Sequence, residues 1–139
     1  MSELLIKYFN KQPRLGTLST ADKNGKVNSA YFGSPRMVDG KSIFMGLGNN
    51  RTFANLQGNP SAIFMVMEPG ESITDWKGVR IYVKMTECQT AGEKLDNLKT
   101  MIAEKAGEGA AKMMHAAVTF EIAEIRPLAD FGQGWEKSI

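Results

Sequence analysis

The sequence is short of the residues that most often carry catalysis or metal binding. It has one cysteine, Cys88, and one histidine, His115, in 139 residues. A single cysteine excludes an internal disulfide and predicts a reducing, cytoplasmic setting. A single histidine argues against a His-rich metal centre and against a Ser-His-Asp triad. Charge of one sign is also scarce. Lys and Arg number 17 against 15 Asp and Glu, a net charge of +2, too little to predict a nucleic acid or an anionic membrane as partner. The longest apolar run, Ala62 to Met67, is far short of a membrane span. The opening residues, MSELLIKYFNKQP, place Glu3 near the start and lack a long apolar stretch or small-residue cleavage site, which is not the pattern of a secretion signal. No internal repeat, linker or low-complexity tract interrupts the chain, so residues 1–139 are expected to form one domain.

What is present is an ordinary globular composition, 42% hydrophobic and 23% charged. Residues 2–11 read as a helix. Ser2 is placed to cap it, Leu4, Leu5, Tyr8 and Phe9 share a face, and Pro13 ends it. The segment RLGTLSTADKNGKVNSAYFGS reads as two strands about a turn at Asn24-Gly25, and Asp39-Gly40 turns the chain into KSIFMGL. Such short connections predict antiparallel neighbours, because parallel strands need a crossover. SAIFMVM suits a strand buried on both faces. In GVRIYVKMTECQT, alternation sends Val79, Ile81, Val83 and Met85 to one face and Arg80, Tyr82 and Lys84 to the other.

Thr90 and Glu93 are spaced as a capping box for a helix whose apolar stripe is Leu95, Leu98, Met101 and Ile102 and which stops near Gly107. AAVTFEIAEIR, residues 116–126, is a last strand limited by Pro127, and the tail LADFGQGWEKSI has no periodicity. Six strands, mostly in meander order, with three helices predict a mainly β (α+β) fold. Closing the sheet into a small barrel with helices outside would remove its edges.

The stretch GLGNNRTFANLQGNP, residues 46–60, carries the chemistry. Asn50 is placed as an N-cap, Arg51 to Gln57 as a short helix, Gly58 as its end and Asn59-Pro60 as the stop. The first amides of a helix lack internal partners and attract anions, and the helix dipole adds to the pull. Arg51 contributes a permanent forked charge and Thr52 a hydroxyl. Gly46 and Gly48 allow a close backbone approach. This pattern suits a phosphate monoester, although a plain capped helix with a solvated arginine uses the same residues. The Gly-Lys-Ser/Thr of a P-loop is absent. The dinucleotide fingerprint fails because its third glycine is Arg51, the helix is short and the hairpins oppose a parallel sheet.

From about Leu15 to Val83, and more loosely to the last strand, the signals follow a recognisable order. An NG hairpin and strand precede a DG turn and strand; then come an Arg-bearing helix start, L-x-x-NP, an apolar strand and W-x-x-VRI. In that order they resemble the FMN-binding split β-barrel family of pyridoxamine 5'-phosphate oxidase and its relatives. The resemblance implies a six-stranded antiparallel split barrel with about three peripheral helices. It implies that Asn50, Arg51 and Thr52 hold the FMN phosphate, that Asn28, Ser29, Ala30 and Tyr31 run along the flavin ring, and that Met45 and Gly46 border the ribityl chain. It also implies a homodimer with flavin at the subunit interface.

The departures bear on the substrate. Arg51-Thr52 stands where those oxidases have Arg-Lys, Gly78 falls near their flavin-touching glutamine, and the tail lacks their Arg/His substrate contacts. FMN binding by an oxidoreductase acting on a small molecule is therefore the expectation, rather than vitamin B6 oxidation. The alternatives are a module that binds flavin, haem or a deazaflavin without turnover, and a cofactor-free stress or interaction protein.

Trp135, in the glycine-rich aromatic segment FGQGW, is placed to stack on the flavin or a partner subunit, or to fray. Trp76 offers the same stacking chemistry but also suits a loop anchor. His115 and Cys88 read as structural, and the nine methionines as soft filler rather than a metal box.

Overall fold

A computed structural model describes residues 2–139, with side chains from Glu3 onward; the cap expected of the Ser2 side chain lies outside the described residues. The first helix, α1, spans Ser2–Phe9 and buries Leu5 and Phe9, one turn apart. Strands β1 (Leu15–Ala21), β2 (Val27–Tyr31), β3 (Arg36–Met37) and β4 (Ser42–Leu47) follow. After helix α2 (Arg51–Gly58) come β5 (Ser61–Glu68) and β6 (Lys77–Gln89). Helices α3 (Glu93–Ala106) and α4 (Glu108–Lys112) lead to β7 (Ala116–Pro127) and a 3-10 turn at Trp135–Ser138.

The strands form one antiparallel sheet in the order β2-β1-β5-β6-β7-β4-β3. The expected meander holds only in part: β1 pairs with β5 and β4 with β7, long-range pairings that short turns do not specify. β2 and β3 remain as its free edges, so the barrel is split rather than closed. The turns form as their residues require. Asp22 Oδ1 accepts the N–H groups of Asn24 and Lys26 at 2.8 and 2.9 Å, and Gly25 takes φ +88°. Asp39 Oδ1 likewise accepts from Lys41 and Ser42, with Gly40 at φ +75°. Inside the curl of the sheet, Phe64 packs edge-on between Phe9 and Phe120, with ring centroids 5.8 and 5.3 Å away. Helix α1 thus supplies a side chain that plugs the barrel.

Five local expectations change. A seventh strand, β3, appears, since two residues are too few to show a period. β5 buries Ala62, Phe64 and Val66, but its other face, Ile63, Met65 and Met67, is only half-buried because no helix covers it within one chain. The Thr90–Glu93 capping box does not form. α3 starts from Gly92 at φ +104° with no side-chain cap. α4 is a fourth, separate helix begun at Gly107, φ +93°. The tail is ordered: Leu128 N–H donates to Ser138 Oγ at 3.1 Å, and Trp135 and Ile139 pack on the core.

Candidate functional site

The chain leaves β4, passes Gly48 and Asn50, and enters α2. Asn50 is extended, and its Oδ1 accepts the Phe53 N–H at 3.0 Å, the cap that the sequence predicts. Ala54 N–H donates to the Asn50 carbonyl at 3.0 Å. The amides of Arg51 and Thr52 therefore open the helix without a partner inside it. Arg51 is exposed and forms no ion pair among the described residues. Thr52 is only 2% exposed, so its hydroxyl does not stand in solvent beside Arg51 as the sequence suggested; its amide remains at the helix start. The helix is seated on β1 by a buried hydrogen bond from Asn55 Nδ2 to Thr20 Oγ1, 3.1 Å, and by Leu56.

The two glycines before the helix have a different role from the one expected. A Cβ at Gly46 would lie 2.5 Å from Met114 Sδ and 2.6 Å from Leu98 Cδ2; one at Gly48 would lie 3.3 Å from the Met113 carbonyl. Their missing side chains let α3 and the segment after α4 approach β4. His115 belongs to the same packing. Its N–H donates to the Leu47 carbonyl at 2.8 Å, and its ring meets Phe53 edge-on at 4.7 Å.

Asn28, Ser29, Ala30 and Tyr31 lie on the edge strand β2, which together with β1 flanks α2. Tyr31 is 66% exposed and Ser29 accepts a hydrogen bond from Ser19 at 3.1 Å. One flank of the barrel therefore carries the edge strand and α2. The Met45 side chain faces the core, which leaves its backbone as the part able to border a ligand. Trp135 packs on β6 and β7 of its own barrel, so a single chain does not bring it to the helix start. Trp76 sits partly exposed in the loop before β6. Gly78 is buried, and a Cβ there would lie 2.5 Å from the Val66 carbonyl and 3.1 Å from Met67 Cα. This backbone has no room for a glutamine at that position.

Sequence reasoning missed a second feature, a cleft of about 670 Å³ between α3 and the β3–β4–β7 end of the sheet. Met45 and Gly46 are the only sequence-predicted site residues that line it. Its outer wall, residues 33–37, is fixed from the end of α1. Asn10 Nδ2 donates to the Met37 carbonyl at 2.7 Å while Asn10 Oδ1 accepts the Met37 N–H at 2.9 Å, and Gln12 Nε2 donates to the Gly33 carbonyl at 3.2 Å. Arg14 Nη2 donates to the Pro35 carbonyl at 2.6 Å. Arg14 is 7% exposed; its guanidinium lies 4.5 Å over the Phe9 ring and has no carboxylate partner among the described residues. Burial pulls its pKa below the ordinary guanidinium value, with Tyr31 acting the other way. Basic residues on the apolar side of α3 were the signal in the sequence that could have revealed the cleft.

Among the described residues, no three His, Cys, Asp or Glu side chains are grouped to hold a metal, and no helix is long and apolar enough to cross a membrane.

A family model described as pyridoxamine 5'-phosphate oxidase matches residues 5–129. No curated protein sequence matches the chain. Among solved structures, an FMN-binding protein from Syntrophomonas wolfei subsp. wolfei is 26% identical, with a TM-score of 0.77 over 93% of this chain and 88% of that one. HupZ from Group A Streptococcus is 19% identical, with a TM-score of 0.71 over 92% and 93%. The haem storage protein HutZ from Vibrio cholerae is 20% identical, with a TM-score of 0.60 over 88% and 92%. The last two are likenesses of fold alone.

Proposed function

Because the chain belongs to the pyridoxamine 5'-phosphate oxidase family, we propose that it binds FMN and works as a flavin-dependent oxidoreductase on a small molecule, as a cytoplasmic homodimer. The observation that carries this reading is the start of α2. Two open amides and the guanidinium of Arg51, without an ion pair among the described residues, meet there after a strand, the donor set a phosphate dianion needs. The similarity to an FMN-binding protein supports the same cofactor.

Asn50, Arg51 and the Thr52 amide would hold the phosphate. The backbone of Met45 and Gly46 would border the ribityl chain, and Asn28 to Tyr31 the ring. The Gly46 face is filled by the flexible ends of Leu98 and Met114, so a ligand passing there must displace side-chain tips rather than backbone. FMN, when bound, supplies the electron transfer; the chain supplies binding, orientation and exclusion of water. Gly78, with no room for a glutamine, and a tail without Arg or His point to a substrate other than pyridoxamine phosphate.

The dimer is supported by the uncovered outer face of the sheet. Ile63 and Met65 are half-buried on β5, with exposed Leu15 on neighbouring β1. A second copy laid on this face would bury them. Trp135 enters the site in this reading only across a subunit boundary.

The test is the visible spectrum of the purified protein, followed by titration with FMN. Flavin bands, or saturable quenching of FMN fluorescence with a rise in melting temperature, are expected. A Soret band instead would transfer the reading to haem. No quenching and no thermal shift with excess FMN would remove the flavin assignment. Steady-state oxidation of a reduced nicotinamide by the flavin-loaded protein separates an enzyme from a binding module.

A further inference from the structure

We propose that Arg14 sets the redox poise of the bound flavin: a buried guanidinium without a counter-charge, at the end of the strand pair that carries the ring, stabilises the reduced and negatively charged ring over the oxidised one. The proposal rests on the flavin reading above. Three observations carry it.

The first is that Arg14 is a lone cation. It is 7% exposed and forms no ion pair among the described residues. Nη2 donates to the Pro35 carbonyl at 2.6 Å, but Nε and Nη1 are buried without a hydrogen-bond partner. Dry, unpaired donors cost stability, and taking a charge out of water costs more. The wall at Pro35 does not need that charge to stay in place. Neutral amides hold the same segment at Gly33 and Met37, from Gln12 and Asn10.

The second is position. The guanidinium lies 4.5 Å over the Phe9 ring on one side and against the Pro35 carbonyl on the other. A Cβ at Gly16 would lie 3.1 Å from the Phe32 carbonyl and 3.8 Å from Arg14 Nε, so the missing side chain lets Arg14 approach the end of β2. The last β1–β2 pair is Thr17 with Tyr31, and the Phe32 N–H continues the ladder to the Gly16 carbonyl at 3.0 Å. Arg14 follows on the same strand, next to the end of the run Asn28 to Tyr31 assigned to the ring. Burial lowers its pKa and the charge of Tyr31 raises it, which puts Tyr31 within its electrostatic reach.

The third is the medium. An enclosed charge acts through protein rather than water, so its field is weakly screened. When a reduced donor passes two electrons and one proton to the flavin, the ring gains one negative charge. A fixed cation nearby favours that state, and charge beside the ring is one of the protein's means of tuning a flavin. Arg51 acts differently. It faces a phosphate whose charge does not change on reduction, so it holds both forms alike.

The midpoint potential of the FMN-loaded protein, read against a reference dye during reduction by dithionite, tests the proposal. In the native protein it should lie above that of free FMN in the same buffer; a value below it overturns the proposal. Arg14→Gln removes the charge and keeps a donor for Pro35, Arg14→Met removes both, and Arg14→Lys keeps the charge. Each neutral variant should weaken reduced FMN about tenfold more than oxidised FMN, a fall of about 30 mV for a two-electron couple. Arg14→Lys should hold the ratio within about threefold. Circular dichroism and melting temperature identify the folded variants, and either neutral variant that folds decides. If Arg14 only braces the wall, both forms of FMN weaken together and the potential stays; that result overturns the proposal. So does an equal fall in Arg14→Lys, which would trace the shift to packing rather than charge. FMN bound with an unmoved potential overturns this inference alone, whereas a native protein that binds no FMN overturns the flavin reading beneath it.

Discussion

The start of α2 and the cleft under α3 attract negative charge by different means. At α2 the attraction is local. Asn50 caps, the amides of Arg51 and Thr52 stay open, and Arg51 stands in solvent, all within three consecutive residues. At the cleft it is assembled at long range: Arg36 comes from β3 and Lys94 and Lys105 from the two ends of α3, and the wall that presents Arg36 is tied to residues 10–14. The first arrangement recognises a compact dianion through hydrogen bonds. The second offers apolar area with charge at its rim, and so selects by body as well as by head group.

Five substitutions, one of them followed across a pH series, probe that contrast. Arg51→Ala should have the largest effect, weakening FMN by about tenfold to a hundredfold, the scale of charge-assisted hydrogen bonds, while leaving unchanged the binding of anilinonaphthalene sulfonate, a probe for the cleft. Fluorescence titration of both ligands on one preparation measures it. Equal losses for the two would mean that the regions are one site.

Asn55→Ala removes the buried bond to Thr20 that seats α2. Chemical denaturation should show a loss of about 1–2 kcal/mol, with FMN affinity falling as the helix start loosens. Asn10→Ala removes both hydrogen bonds to Met37. It should cost about 1 kcal/mol and lower affinity for the sulfonate more than for FMN. Gly46→Ala acts on the seam between the regions. Its methyl must displace the tips of Met114 and Leu98, which are mobile, so a loss of about 1 kcal/mol is expected.

The smallest effect concerns the turn that feeds β4, the stem of both regions. The N–H groups of Lys41 and then Ser42 hold the Asp39 carboxyl below the usual carboxylate range. Its contribution to stability is present above the unfolded-state pKa and is lost as pH falls through the lower folded-state value. Melting temperature should therefore decline below about pH 4, and Asp39→Asn should flatten that decline slightly.

What was legible in the sequence was what neighbouring residues decide. Asn24-Gly25 and Asp39-Gly40 form their turns, Asn50 caps α2, and Val79, Ile81 and Val83 face inward. The misreadings share a cause. SAIFMVM is apolar enough to be buried twice, yet a run of one chemistry does not say how many faces are covered, and here one is. Gly46 and Gly48 looked like room for a ligand, but the room is taken by Leu98, Met113 and Met114, distant in sequence. Trp135 carries no local sign of its packing because its contacts lie on β6 and β7.

The sequence by itself determined the antiparallel hairpins, the turns and the anion-attracting helix start, because each depends on backbone preferences and contacts within a few residues. Only the tertiary structure decided that β1 pairs with β5 and β4 with β7, that Thr52 turns inward, and that the later turns of α3, beyond Leu98, leave a basic, apolar cleft against the sheet. Those outcomes depend on how far apart elements come to rest when side chains from distant segments compete for the same volume, and periodicity along the chain carries no measure of that distance.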